Sequence, residues 1–222
     1  IRQAREEGNL LALLLPAGLK GMYHWLAYFL LEWNVGCAHV HTFALSEWSD
    51  KDGNEPEPGA QISMQNELTR SLFMPLGALT VPTGQRSYAA QHSLPKYAQR
   101  LSDLKSHGAS IVMVYSIGRM MNVGFWEPHL AAGFASEEEW KAQTFQKSVA
   151  LHALTVEQHA LERFSGRTAM VPCFANTVGP GLFLQCDYAI GGCSDAGGAR
   201  WQSTALWTTL RYGPSVWVPS SF

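Results

Sequence analysis

Three side chains with complementary chemistry lie close together in residues 115–128 of the chain. Glu127 supplies a carboxylate that can move a proton, Asn122 an amide that can hydrogen-bond a hydroxyl, and Arg119 a cation that can hold an anion. Gly118 and a second glycine punctuate the segment, which is typical of a loop. An ordinary loop whose aromatic residues fill the core fits the same residues equally well, so chemistry here is a hypothesis.

A turn near the start of the chain is suited to an anion. Residues 9–15 form an apolar run that predicts a buried strand, and the apolar residues of 22–33 recur at helical spacing. The intervening turn contains Gly18 and Lys20. Such a turn points backbone N–H groups and the positive end of a helix at one spot, so these two residues form a candidate phosphate site. A plain strand-to-helix connection is the alternative.

Two further segments place polar residues after a predicted strand. Ser46 and Glu47 follow the strand at 39–45 and open an acidic segment that we interpret as a solvated loop, because it lacks the spacing of a calcium loop. A glycine-rich stretch at 191–198 leads to Arg200, the first residue of a predicted helix. Its glycines fit no dinucleotide or Walker motif, and neither a metal nor a cofactor is predicted.

The predicted elements alternate between strand and helix. The strands are 9–15, 39–45, 110–114, 168–171, 188–190 and 214–219, and the helices are 22–33, 62–74, 94–107, 134–143, 155–164 and 200–210. This alternation predicts a three-layer α/β/α, Rossmann-like domain with a mainly parallel sheet. Right-handed crossovers would bring the loops at Gly18, Ser46, Gly118 and Gly191 to one rim of that sheet.

The composition excludes several classes of function. A net charge of −2 with scattered Lys and Arg argues against nucleic-acid binding. No apolar run is long enough to span a membrane, and four cysteines without a CxxC spacing indicate reduced thiols of a cytoplasmic protein. With 46% hydrophobic and 15% charged residues, we expect a single domain over 1–222 that forms a homo-oligomer through apolar surface.

Several segments resemble the glucosamine-6-phosphate deaminase/isomerase family. Residues 15–23, Leu-Pro-Ala-Gly-Leu-Lys-Gly-Met-Tyr, are similar to its phosphate loop, Leu-Pro-Thr-Gly followed by Gly-Met-Tyr. Residues 42–48, Thr-Phe-Ala-Leu-Ser-Glu-Trp, are similar to its Thr-Phe-Asn-Met-Asp-Glu-Tyr. Residues 118–128, which end in Phe-Trp-Glu-Pro, are similar to its Gly-x-Asp-Gly-His-Ile-Ala-Phe-Asn-Glu-Pro. The resemblance runs from about residue 10 to residue 219.

The resemblance implies that a phosphorylated aminosugar is opened, isomerised from aldose to ketose and stripped of ammonia. It implies Glu47 and Glu127 as acid–base residues. Ser46 stands where the family has its proton-shuttling Asp, and Asn122 where it has its ring-opening His. The residues assigned to substrate binding are Gly18, Lys20, Gly118, Arg119 and Arg200.

The departures from the family pattern leave three functions open. Neither Ser46 nor Asn122 titrates near neutrality, so neither replaces a carboxylate or imidazole base. Loss of a positioned general base typically lowers a rate by ~10²–10⁴-fold. The chain is therefore interpreted as a diverged isomerase using Glu47 and Glu127, a sugar-phosphate-binding protein without turnover, or a hydrolase similar to 6-phosphogluconolactonases.

Overall fold

The computed structural model describes residues 1–193 and 200–222. Within them the strands are β1 (Leu11–Leu15), β2 (Val40–Ala44), β3 (Ser46–Ser49), β4 (Arg86–Ser87), β5 (Ser110–Ser116), β6 (Phe145–Ala150), β7 (Phe174–Val178) and β8 (Tyr188–Gly192). The central sheet has five strands in the order β4-β2-β1-β5-β8, all paired in parallel. A smaller sheet, β3-β7-β6, is antiparallel.

Helices connect most of these strands. They are α1 (Arg2–Glu6), α2 (Lys20–Glu32), α3 (Met64–Leu68), α4 (Met74–Leu76), α5 (Tyr97–Ser106), α6 (Glu137–Lys141), α7 (Ala153–Arg163), α8 (Pro180–Phe183) and α9 (Arg200–Arg211). A π-helical turn, Thr69–Phe73, joins α3 to α4, so the predicted helix at 62–74 contains one wide turn. No helix of the described residues combines the length and apolar character that crossing a membrane requires.

The first strand explains why both faces of the central sheet are covered. Successive side chains of a strand point to opposite faces. Leu11, Leu13 and Leu15 accordingly pack in one cluster with residues of α2, whereas Ala12 and Leu14 pack in another with residues of α5. The apolar run of β1 can therefore be buried only between two helical layers. The predicted three-layer α/β/α, Rossmann-like arrangement with a mainly parallel sheet is confirmed.

The smaller sheet was not predicted. The sequence predicts a solvated loop after residue 45, but Ser46–Ser49 is a buried strand whose Glu47 lies opposite Asn176 of β7. The polar composition of this segment predicts a loop, but the Glu47 carboxylate finds four hydrogen-bond donors inside the protein, so it can be buried in a strand. β7 in turn holds the 115–128 loop, since the Thr177 hydroxyl accepts a hydrogen bond from the Phe125 N–H at 3.0 Å.

Two predicted strands are wrong, because their segments lack the burial that a strand in the core would have. Thr168–Met170 is a short 3₁₀ turn whose residues are exposed, so no buried face selects an extended conformation. The predicted strand at 214–219 forms one isolated bridge, between Ser215 and Val218, before a 3₁₀ turn. Residues 194–198 of the predicted glycine-rich stretch lie outside the described residues.

Large apolar side chains are exposed on several elements, including α2 and β8. On α2, Trp25 is 58% exposed and Trp33 is 54% exposed, and Phe29 stacks between their rings. On β8, which lies at the edge of the central sheet, Tyr188 and Ile190 are exposed. The expected homo-oligomer stays a prediction.

We expect Gly179→Ala to destabilise the fold by about 2 kcal/mol, because there is no room for a methyl group. A Cβ on Gly179 would overlap the carbonyl oxygen of Gln143, which is backbone and cannot rotate away. Gly59→Ala is the matched control, since no atom lies within 4 Å of its Cβ position. Denaturant unfolding of both variants tests this, and equal midpoints would contradict it.

Candidate functional site

Segments at the ends of four parallel strands line one cavity of about 620 Å³. Gly18 follows β1, Ser46 follows β2 and Gly118 follows β5. Gly191 is the second-last residue of β8. Parallel strands bring their carboxyl ends to one edge, where open α/β sheets bind ligands. The predicted convergence of these four segments is confirmed. The volume suits a ligand of sugar size.

One end of the cavity is positively charged. Gly18 has φ of +98°, a conformation that side chains disfavour, and it precedes α2, whose first residue is Lys20. The Arg163 Nη1 atom lies 3.7 Å from the position of a Cβ on Gly18. Lys20 and Arg163 both line the cavity. Two cations and a helix amino terminus at one spot can hold a phosphate group.

A carboxylate lies between the two cations and forms an ion pair with each. Glu67 of α3 lines the same end of the cavity. Its Oε1 lies 3.8 Å from the Lys20 Nζ, and its Oε2 pairs with the Arg163 guanidinium. The side chains of Glu67 and Arg163 are only 10% and 19% exposed, so this pair is largely shielded from water, whereas Lys20 reaches it from the surface.

The structure supplies a different arginine from the one predicted. Arg200 begins α9, but its side chain lies outside what the structure describes. The sequence analysis missed Arg163. A usable signal was present, because polar residues at positions i, i+1, i+4 and i+5 share one face of a helix. On α7 these residues, which all line the cavity, are Gln158, His159, Glu162 and Arg163.

Glu47 does not line the cavity. Its buried carboxylate accepts hydrogen bonds of 2.8–3.0 Å from the N–H groups of Trp48, Met64 and Gln65 and from the Ser63 hydroxyl. Burial raises the pKa of Glu47, and the four donors oppose that change. With both oxygens occupied at the amino terminus of α3, the predicted acid–base role of Glu47 is not supported by this geometry.

Glu127 lies outside the cavity lining as well. Its side chain is fully buried, and its Oε2 accepts a hydrogen bond of 2.8 Å from the His152 N–H at the start of α7. The His129 Nδ1 lies 3.4 Å from the same oxygen. Burial raises the pKa of Glu127, and the His152 N–H opposes that change. Because the carboxylate is buried away from the cavity and its Oε2 is engaged at the start of α7, its predicted acid–base role is not supported by this geometry either.

Of the remaining predicted residues, some line the cavity and one lies outside its lining. Ser46 lines the cavity with its hydroxyl 3.5 Å from the Met64 sulfur. Asn122 also lines it, and its amide packs directly on Gly118, where a Cβ would overlap it and force the amide to move. Arg119 is absent from the cavity lining and pairs with Glu157 at 2.5 Å, which ties its loop to α7.

His159 is a second cavity residue that sequence reasoning did not identify. Its ring packs edge-to-face against Trp48 at 5.0 Å and against Phe125 at 5.4 Å. These partners are distant in sequence, so spacing gave no sign of them. Burial lowers the pKa of His159 to about 4, which keeps the imidazole neutral at pH 7. Among the described residues, no group of three or more His, Cys, Asp and Glu side chains could hold a metal ion.

We expect Glu47→Gln to lower the free energy of unfolding by about 3 kcal/mol, because two buried donors then lose an acceptor whichever oxygen becomes an amide. The exposed Glu57 offers a matched control as Glu57→Gln. Chemical denaturation followed by circular dichroism measures both. A loss of activity with unchanged stability would point instead to a chemical role for Glu47.

Acidification should destabilise the protein through His159. Its pKa falls from 6.5 to about 4 on folding, so the unfolded chain takes up the proton first. The stabilisation is complete above pH 6.5 and decreases as the pH approaches 4, by about 3 kcal/mol in total. Unfolding measured across this range should be less pH-dependent in His159→Gln. His92→Gln, at an exposed position, should behave as the wild type.

No protein-family model and no curated protein sequence matches the chain. Several solved structures, however, resemble the fold of the chain. A monomeric glucosamine-6-phosphate deaminase, described as a missing link of the NagB superfamily, superposes with a TM-score of 0.71 at 19% identity, over 95% of this chain and 80% of that one. A 6-phosphogluconolactonase from Leishmania guyanensis gives 0.59 at 12% identity, over 97% and 79% of the two chains.

A third structure extends the likeness. The 6-phosphogluconolactonase of Plasmodium vivax superposes with a TM-score of 0.57 at 10% identity, over 99% of this chain and 78% of that one. Identities this low establish the fold alone. The chain therefore has the fold found in a glucosamine-6-phosphate deaminase and in 6-phosphogluconolactonases.

Proposed function

We propose that the protein binds a phosphorylated aminosugar in the strand-end cavity and converts it by the deaminase/isomerase reaction, with glucosamine 6-phosphate as the substrate. The observation that carries this proposal is the juxtaposition of Lys20 and Arg163 with the Gly18 turn at one end of the cavity. A phosphate monoester carries up to two negative charges, which two cations and a helix amino terminus can balance.

The Glu162 carboxylate in the cavity favours an aminosugar over a lactone as the ligand. Glu162 lines the cavity and accepts a hydrogen bond of 3.3 Å from the Gln158 amide, but it pairs with no cation among the described residues. The ammonium group of an aminosugar would give Glu162 a partner of opposite charge. A phosphogluconolactone offers no cationic group, so it would leave this carboxylate uncompensated.

Proton transfer in the cavity falls to groups other than those expected. The reaction needs a base near C1 and C2 of the opened sugar. Among the described side chains that line the cavity, Glu162 is the carboxylate and His159 the imidazole outside the ion pairs of Glu67. Tyr115 lines the cavity as well, but burial raises the pKa of its hydroxyl, which stays protonated at neutral pH. With a pKa of about 4, His159 has the basicity of an ordinary carboxylate and can accept a proton transiently. We assign the transfer to Glu162 and His159.

A sugar-phosphate-binding protein without turnover is the second candidate. The observation that favours it is that Glu47 and Glu127 are both engaged at helix amino termini. Ser46 and Asn122, which do line the cavity, carry no group that titrates near neutrality. Binding would then rest on the charged end of the cavity alone.

We expect Arg163→Gln to weaken binding of glucosamine 6-phosphate by about 10- to 100-fold, the range set by a charge-assisted hydrogen bond. Arg167→Gln is the matched control, because Arg167 is exposed and is absent from the cavity lining. Isothermal titration calorimetry measures the affinity, and a coupled assay measures released ammonia.

The same measurements separate the candidates. Ammonia release supports the deaminase, and binding without ammonia supports the second candidate. Acid release from 6-phosphogluconolactone by the wild type would favour a hydrolase. The absence of sugar-phosphate binding, or equal affinities for the two arginine variants, would contradict the proposed phosphate site.

A further inference from the structure

Glu67 occupies the cations on which the proposed phosphate site depends. One of its oxygens lies 3.8 Å from the Lys20 ammonium, and the other pairs with the Arg163 guanidinium. Both oxygens of one carboxylate are thus committed to the two cations that line this end of the cavity. A phosphate held by the same cations would lie beside that carboxylate, and like charges at such a distance repel each other.

The position of Glu67 is fixed by its helix. Ser63 caps α3 by accepting a hydrogen bond from the Asn66 N–H, and the buried Glu47 carboxylate accepts two more from the first N–H groups of the helix. The Glu67 side chain is 10% exposed. It is therefore held against the cavity by the fold and is not a surface group that happens to reach a cation.

The two cations differ in how firmly they are held. The Arg163 side chain is 19% exposed and is confined between α3 and the Gly18 turn. The Lys20 side chain is 74% exposed, so it can change partner at little cost. A doubly charged phosphate can displace a singly charged carboxylate from such a pair of cations, whereas a monoanion has no electrostatic advantage over Glu67.

We propose that Glu67 is a built-in counter-ion of the phosphate site. It offsets one of the two positive charges of Arg163 and Lys20 while the cavity is empty, competes with the ligand for both cations, and so sets the anion affinity of the cavity in favour of dianions. This inference rests on the proposed function only in assuming that these cations bind a phosphate. It makes Glu67 a determinant of affinity and selectivity and gives it no chemical step.

The test is binding of inorganic phosphate at pH 8 and low ionic strength, measured by calorimetry. Glu67→Gln keeps the shape of the side chain and removes the competing charge, so we expect binding about tenfold tighter than in the wild type. Glu67→Met removes the charge with a side chain of similar length and should shift the affinity in the same direction. Circular dichroism establishes that each variant is folded.

Glu57→Gln is the matched control, because it removes the same charge at an exposed position outside the cavity lining. We expect it to change phosphate affinity by less than about threefold. Unchanged or weaker phosphate binding in both Glu67 variants would overturn the counter-ion proposal. If Arg163→Gln then still loses phosphate binding, the proposed function stands. If neither the wild type nor the Glu67 variants bind phosphate, both proposals fail.

Discussion

The parallel pairing of β1 with both of its neighbours is the constraint on which the cavity depends. The register sets Leu15 beside Ala44 and Leu14 beside Met113, so all three strands end at the same edge of the sheet. The segments that follow, including those with Gly18 and Ser46, have no route except across that edge. A slip of one residue would turn every side chain of β1 to the opposite helical layer, which the two separate clusters of apolar side chains forbid.

The buried carboxylates of Glu47 and Glu127 show how position in sequence can mislead about chemistry. Each sits in a segment that resembles an active-site loop, yet Glu47 accepts hydrogen bonds from the first two N–H groups of α3, and Glu127 accepts one from His152, the residue before α7. Their influence on the cavity is indirect: Glu47 fixes α3, which carries Glu67, and Glu127 fixes the start of α7, which carries Arg163. A buried anion at a helix amino terminus is well suited to such positioning.

The elements that could be predicted are those whose apolar residues show a plain pattern in the sequence. β1 and α2 are read from the sequence directly, because one is apolar throughout and the other is apolar at helical spacing. β3 and β7 could not be predicted in this way, because their buried polar residues depend on partners that are distant in the sequence. Asn176 of β7, for example, donates a hydrogen bond to the carbonyl of Gly53. The polar face of α7 could be recognised from its spacing, but its place in the cavity could not, because the same residues would suit a helix that faces water.

The exposed edge of β8 has a consequence for how the protein behaves in concentrated solution. In the described part of the chain no strand pairs with the outer side of β8, which leaves its N–H and C=O groups there open to a partner, and Tyr188 and Ile190 add exposed apolar surface beside them. Such an edge is a template for any extended segment that approaches it. Self-association should therefore rise steeply with protein concentration, with intermolecular β-pairing along β8 as its route.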